Sequence, residues 1–467
     1  MMRCARFGLF LYLFTVPWTL VFFSWSGHDY ARILQVGVAG LAGLALLWEG
    51  WRGWSPRLPR WGLALLVTGL LAAGLSIAQA PEPVWAWREA ALFAGMMCIA
   101  ALIGLDDRVH PQGVVQAAAL AFAAYVSLEF LVINLGLTQG VAIPSMDFAL
   151  GYDNPRFFNH VTTVALPVCL AAVLQGDDLP WRRRLASWGL IGGLALTFWS
   201  GGRAVLVAQA AGLLVAAAAL GLQRARPLLR AALVSALWAV ALYLLQFILL
   251  PWVLHLSSEF VWTARVQDGA SMAARGYLWQ LAWRDWLQAP WLGLGPMHYA
   301  HVPNPEAAHP HNIYLQVLAE WGTVVFLATL LGVLAGLSGF IRALRSSAGR
   351  APGLEWGGAC LLGGWVAFLV DGCFSGNFVM PTSQVWIAFL CGAVWRWCRA
   401  SAGPMAGGAM PGRWIVIAAG WGCSLLSLWL VWNSLPDTLH LNAVLDAAGQ
   451  RSISSHANPR FWSMGWF

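Results

Sequence analysis

Long apolar segments recur along almost the whole chain, and they constrain its fold more than any other feature. We identify about thirteen of them, from Phe7–Phe23 to Ile415–Trp432; a helix needs about 20 such residues to cross a bilayer core of roughly 30 Å. Hydrophobic residues make up 59% of the chain and charged residues 10%, which excludes an ordinary soluble domain. The sequence therefore predicts an all-α polytopic membrane protein with about 12–13 transmembrane helices.

The distribution of arginine predicts how these helices are oriented. All 27 basic residues are arginine. If successive loops alternate between the two sides, 18 arginines fall on one side and nine on the other, and the positive-inside rule places the richer side in the cytoplasm. The net charge of +7 reflects this bias and does not indicate nucleic-acid binding. The nine outer arginines are Arg32, Arg88, Arg156, Arg203, Arg265, Arg275, Arg284, Arg451 and Arg460.

The apolar segments divide the chain into four parts. Residues 1–254 and 311–432 hold the N-terminal and C-terminal groups of transmembrane helices, 255–310 form the longest outer loop, and 433–467 form an outer tail expected to have modest order. Within the long loop, Arg275–Gln288 has a helical pattern that is too short and too polar to span. Its tryptophans are typical of a helix lying in the membrane interface. Pro290 marks the end of this helix.

A histidine-rich segment leads from the long loop into the next apolar segment. The sequence from His309 to Thr323 reads HPHNIYLQVLAEWGT, and a helix is expected to begin near His311 and Asn312. Histidine is the usual proton acceptor near neutral pH, so His311 is a candidate base at the mouth of this helix. Pro310 should hold His309 outside the helix.

A polar stripe descends from the mouth of the same helix. Asn312, Gln316 and Glu320 follow one another at four-residue intervals and share one face. Glu320 would lie roughly 12 Å below Asn312 at about 1.5 Å per residue. A carboxylate at that depth needs a partner. Two interpretations stay open, because Glu320 and Gln316 could support the site or simply tie helices together.

Three outer arginines are candidate ligands of a phosphate group, which the guanidinium fork can bind in a bidentate manner. Arg203 follows a tight turn with two glycines, Arg275 opens the interfacial helix, and Arg156 lies beside His160. Ordinary snorkelling to the membrane surface is the alternative for Arg203. Asp371, at the outer end of its apolar segment, is either a capping or salt-bridging residue or a group that orients a histidine or arginine.

The histidines also raise the question of a metal site. His298, His301, His309 and His311 lie in one loop, and the pair in His-Pro-His could supply two ligands. No cysteine or suitably spaced carboxylate completes the set, so a metal site is the less favoured interpretation. The eight cysteines form no Cys-X-X-Cys pair, which argues against a disulfide framework or a thiolate zinc site.

These segments together resemble the O-antigen ligase and O-antigen polymerase superfamily of bacterial membrane glycosyltransferases. The resemblance rests on one long outer loop late in the chain, on Ser-Gly-Gly-Arg203, and on Arg275-Gly-Tyr-Leu-Trp leading to Pro290-Trp-Leu-Gly-Leu-Gly-Pro296. It also rests on His311-Asn312 followed after nine residues by Gly322. The second glycine that the family often has a few residues later is absent.

The resemblance implies a fold similar to C-type glycosyltransferases and transfer of a glycan from undecaprenyl diphosphate in the periplasm, at the bacterial inner membrane. Lipid A–core or another glycan would be the acceptor, with membrane lipid as a further partner and no cofactor or metal. Arg203 and Arg275 would bind the diphosphate, His311 would be the base, and Asp371 matches a supporting acidic position.

A ligase is the favoured reading, and three alternatives stay open. An O-antigen polymerase uses the same donor and differs only in its acceptor. A protein O-oligosaccharyltransferase is less favoured, because the outer tail leaves little room for the additional domain common there. A transporter of lipid-linked glycans would place charged residues near the midplane and show inverted repeats; here the arginines and histidines gather at one face.

Overall fold

The computed structural model describes residues 1–16, 27–54, 57–108, 110–145, 148–175, 179–256, 270–346, 352–401, 409–447, 460–463, 465 and 467. The predicted fold class is confirmed over these residues, because the chain is an all-α bundle. Ten of the described helices are long and apolar enough to cross a membrane, fewer than the 12–13 predicted. A single antiparallel pair of three-residue strands, β1 (Arg57–Pro59) with β2 (Ala409–Pro411), is the exception to the all-α fold.

Fourteen α-helices lie within the described residues, besides a 3-10 helix at His298–Ala300. They are α1 (Met2–Thr15), α2 (Gly27–Trp51), α3 (Arg60–Gln79), α4 (Pro83–Gly104), α5 (Pro111–Thr138), α6 (Pro155–Gln175), α7 (Pro180–Trp199), α8 (Arg203–Leu220), α9 (Leu222–Val253, with a π-helical turn at Leu244–Leu249), α10 (Ala270–Gln288), α11 (Ile313–Ser346), α12 (Pro352–Asp371), α13 (Pro381–Ser401) and α14 (Arg413–Ala447). Proline near the first position of α4, α5 and α7 suits a helix start, because no intrahelical partner is lost there.

Ion pairs mark one end of the bundle, which we call the arginine end. Each pair joins two helix ends. Both of these ends lie on the same side of the membrane when successive loops are assigned to alternating sides. The pairs are Arg6–Asp106, Arg108–Glu49, Arg224–Glu355, Arg396–Asp107 and Arg399–Asp107. The opposite end holds His309 and His311, and we call it the histidine end.

Helix α6 lies at the centre of the bundle. Within its apolar window 89% of the residues are buried, against 11% for α11 at the periphery. Small residues allow close packing around it; a Cβ at Gly193 of α7, for example, would meet the Phe122 ring at 2.7 Å. The first turn of α6 therefore has a fixed position at the histidine end.

The helix predicted at Arg275–Gln288 is present as α10, which begins earlier, at Ala270, and ends at Gln288, shortly before Pro290. Leu278 and Ala282 are buried against Tyr299, Ala307 and Ala319. Three polar residues of α10 are exposed, namely Gln280, Arg284 and Gln288. Three of its large apolar side chains are exposed as well, namely Tyr277, Trp283 and Leu287. The helix thus rests on the long loop with one face and leaves the other uncovered.

The outer tail is predicted to begin at residue 433, and helix α14 continues past this position, from Arg413 to Ala447. Farther along the predicted tail, Arg460, Phe461 and Trp462 are buried at the histidine end. The predicted outer residues Arg265 and Arg451 lie outside the described residues.

Candidate active site

His311 occupies an unusual backbone conformation at the mouth of α11. Its φ of 51° lies in the left-handed region, which is uncommon for a residue with a Cβ and is concentrated at functional sites. The next residue caps the helix, because Asn312 Oδ1 accepts hydrogen bonds from the backbone N–H groups of Tyr314 (3.0 Å) and Leu315 (3.1 Å). The start of α11 is therefore as predicted, and Asn312 acts as its cap.

His309 is more deeply buried than the sequence suggested. It is 2% exposed, and its ring lies 4.1 Å from that of His311, measured between centroids. His309 Nδ1 accepts the backbone N–H of His311 at 3.3 Å, so the neutral ring carries its proton on Nε2. Gly376 leaves room for this ring, since a Cβ there would collide with it. His309 thus supports the backbone of His311 directly.

Positive charge surrounds the two histidines. Burial, together with the nearby Arg275, His160 and Arg156, lowers the pKa of His311 to about 3. Burial also lowers the pKa of His309, to which His311 and Arg460 contribute. Both imidazoles are therefore neutral at pH 7. Arg156 comes from the first turn of α6 and Arg275 from α10, so two separate elements bring arginines to His311.

Asp371 is the last residue of α12 and is buried beside the same cluster. Its Oδ2 accepts a hydrogen bond from Ser375 Oγ at 2.7 Å and lies 3.9 Å from His160 Nδ1. The end of α12 is fixed to the start of α11, because Ile313 N donates to the carbonyl of Gly372 at 2.8 Å. Asp371 and His311 thus belong to two helix ends that are hydrogen-bonded to each other.

The turn before Arg203 packs against α6. Ser200 Oγ donates to Asn159 Oδ1 at 3.0 Å, and a Cβ at Gly202 would meet Asn159 Cγ at 3.1 Å. The predicted two-glycine turn therefore places the start of α8 beside the residue that precedes His160. Arg203 itself is exposed at the first position of α8.

Three helices begin near these groups: α6, α8 and α11. The first turn of a helix presents backbone N–H groups without intrahelical partners and carries a partial positive charge. These helix ends add to the charge of the arginines. The arrangement suits an anion such as a phosphate group.

Gly322 introduces a kink that the sequence did not predict. Its φ of 76° and ψ of 176° interrupt the helical conformation of α11. Around the kink, the carbonyls of Pro290, Ala319 and Glu320 accept hydrogen bonds from Thr323 N, Leu294 N and Gly295 N at 2.9–3.0 Å. A Cβ at Gly322 would collide with Trp291 O, and one at Gly293 would collide with Glu320. The segment Pro290–Gly295 and the kink can therefore pack this closely only because residues 293 and 322 are glycines.

Glu320 belongs to a second cluster, apart from His311. It is fully buried, its Oε1 accepts Tyr299 N at 3.1 Å, and its Oε2 pairs with Arg460 at 2.5 Å. The expected partner of this carboxylate is thus present, although the sequence did not identify it. Gln316 is also buried. This geometry favours the interpretation in which Glu320 ties elements together.

Comparison with known proteins agrees with the resemblance seen in the sequence. Residues 188–330, about a third of the chain, match the family model described as O-antigen ligase. We call residues 188–330 the O-antigen ligase segment, because they are similar to that family. This segment contains Arg203, Arg275, His311 and the kink at Gly322, whereas Arg156, Asp371 and Arg460 lie outside it. A comparison with curated proteins found no match.

Sequence reasoning missed two residues of this region. His160 was noted only as a neighbour of Arg156, yet it contacts Asp371 and influences His311. Arg460 lies in the tail for which the sequence predicts modest order. One local signal is that two aromatic residues follow this arginine, in Arg460-Phe461-Trp462.

Proposed function

We propose that the chain is an O-antigen ligase that transfers a glycan from undecaprenyl diphosphate to lipid A–core. The histidine end would face the periplasm of a bacterial inner membrane. The observation that carries the proposal is His311, a neutral imidazole in a strained backbone conformation with Arg275 and Arg156 close enough to lower its pKa. Transfer from a diphosphate requires a base that removes the proton of the acceptor hydroxyl. It also requires positive charge that stabilises the leaving diphosphate.

The reaction we propose is an inverting displacement. The oxygen of an acceptor hydroxyl attacks the anomeric carbon of the donor glycan, and the bond from that carbon to the diphosphate oxygen breaks. His311 takes the proton from the hydroxyl, and the electron pair of the broken bond leaves with undecaprenyl diphosphate. Arg203, Arg275 and Arg156, together with the N-terminal turns of α6, α8 and α11, would stabilise the negative charge that develops on the leaving group.

Asp371 would support the base rather than touch the substrate. It lies 3.9 Å from His160, and its helix end is hydrogen-bonded to the residue that begins α11. His309 would act through the hydrogen bond that its Nδ1 accepts from His311 N. The N-terminal turns of α11 would be held in place by Asn312, Gln316 and Glu320. No metal ion or cofactor is needed for this scheme.

The acceptor distinguishes a ligase from a polymerase, and the lipopolysaccharide of a deletion strain tests which one is present. Loss of all O-antigen ladder bands, with restoration by the wild-type chain, is the result we expect for a ligase. A single repeat unit attached to core would instead identify a polymerase. An unchanged ladder, together with modified periplasmic proteins that disappear on deletion, would favour a protein O-oligosaccharyltransferase.

A further inference from the structure

The last described residues return to the histidine end and are held there by buried polar groups. We call residues 460–463 the C-terminal segment. Arg32 of α2 donates to the carbonyls of Arg460 and Phe461, each at 3.1 Å. Asp29 of the same helix accepts both the N–H and the hydroxyl of Ser463, at 2.6 and 2.7 Å. This is a built docking site, because Arg32 and Asp29 are each only 1% exposed.

The side chain of Arg460 joins two carboxylates from different helices. Its Nη2 lies 2.8 Å from Glu89 Oε1 of α4 and 2.5 Å from Glu320 Oε2 of α11. Arg460 is 2% exposed and Glu320 is fully buried. Buried carboxylates need a charged partner with good hydrogen-bond geometry. Arg460 is this charged partner for both Glu89 and Glu320.

Glu320 also forms hydrogen bonds with the backbone around the kink. Its carboxylate accepts Tyr299 N, and its carbonyl accepts Gly295 N at 3.0 Å and Ser76 Oγ at 3.2 Å. These bonds fix the long loop against α11 two residues before Gly322. The first turns of α11, with His311 directly before them, lead into this junction.

A second contact connects the C-terminal segment with the region of Asp371. Arg32 Nη2 donates to Val379 O at 2.7 Å as well as to Arg460 O. Val379 lies in the turn between α12 and α13, in which Gly376 contacts the His309 ring. The C-terminal segment therefore adjoins both elements that support His311.

We propose that Arg460 is a positioning residue for glycan transfer, acting through Glu320 to hold the start of α11 and His311 in the reactive arrangement. The inference rests on the proposed function of the same site. It assigns a role to a residue outside the O-antigen ligase segment, which ends at residue 330. Arg460 itself does not touch the reacting atoms in this account.

Steady-state kinetics of the full-length Arg460→Gln protein test the proposal. The probe is a synthetic polyprenyl-diphosphate-linked glycan, with rough lipopolysaccharide as the acceptor. We expect kcat per folded molecule to fall at least about tenfold while KM for the donor stays within about twofold, because small misplacements of reacting groups reduce turnover strongly. Arg460→Lys, which keeps the charge but not the fork, should recover part of kcat.

A double-mutant cycle with Glu320→Gln tests whether Arg460 acts through Glu320. If it does, the double variant Arg460→Gln/Glu320→Gln should be no slower than Arg460→Gln alone, because the two losses share one interaction. Losses that multiply would overturn the proposal. If Arg460→Gln does not fold, the same cycle is run with Arg460→Lys.

Arg396→Gln is the matched control. Arg396 is 8% exposed and pairs with Asp107 at 3.2 Å, but it lies at the arginine end. This variant should lower the yield of folded protein and leave kcat per folded molecule unchanged. If Arg460→Gln behaves in the same way, Arg460 is only structural and the proposal is wrong. If the wild-type chain itself transfers no glycan, the proposed function fails first.

Discussion

The pH dependence of turnover tests the electrostatic environment of His311. An imidazole with an ordinary pKa of 6.5 would be about 76% neutral at pH 7 and about 3% neutral at pH 5. Turnover that depends on it would then fall about 25-fold across this range. With the pKa of His311 lowered to about 3 by burial and by Arg275, His160 and Arg156, the base stays almost entirely neutral at both values. The account therefore predicts a change in kcat/KM of less than about twofold.

The assay measures kcat/KM for a lipid-linked donor in detergent between pH 5 and 8, normalised to folded protein. Normalisation is needed because a histidine that stays neutral when folded but binds a proton when unfolded destabilises the fold below pH 6.5, by about 1.4 kcal/mol per pH unit. A wild-type fall of about 25-fold, centred near pH 6.5, would refute this reasoning.

Three further predictions concern the anion site, the kink and metals. Arg203→Ala and Arg275→Ala should abolish transfer without loss of folded protein, and lysine should restore little, because an ammonium cannot form the bidentate fork; full activity of either alanine variant in a purified assay removes that residue from the site. Gly322→Ala should destabilise the protein by more than the about 1–3 kcal/mol that a positive φ alone costs, because the added Cβ would also collide with the backbone of Trp291–Gly293. Gly332→Ala, on the same helix with no atom within 4 Å of the added Cβ, should not lower the thermal unfolding temperature. Activity should survive EDTA, and inactivation that zinc or manganese reverses would indicate a metal site.

Local sequence signals predicted those parts of the fold that depend on local interactions. The interfacial helix ends at Gln288 because Pro290 follows, and α11 begins directly after Asn312 because this side chain caps it. The kink at Gly322 could not be predicted in the same way. It depends on hydrogen bonds to Pro290–Gly295, a segment about thirty residues away that has no periodic pattern.

In the candidate site, too, contacts between residues far apart in the sequence could not be predicted. Residue types and membrane side were enough to select Arg203, Arg275 and His311, which all lie at the histidine end. The pairing of Glu320 with Arg460 joins residues 140 positions apart, and no local pattern encodes such a contact. One signal was nevertheless available: the tetrapeptide Asn-Pro-Arg-Phe occurs twice, at residues 154–157 and 458–461, with Arg156 in the first copy and Arg460 in the second.

Turnover and donor binding of His311→Ala, measured side by side in purified protein, test the central claim most directly. The account predicts that transfer falls by roughly 10²–10⁴-fold, as for other lost acid–base groups, while the lipid-linked diphosphate still binds as it does to the wild type. Transfer by His311→Ala within about twofold of the wild-type rate would contradict the assignment of His311 as the base.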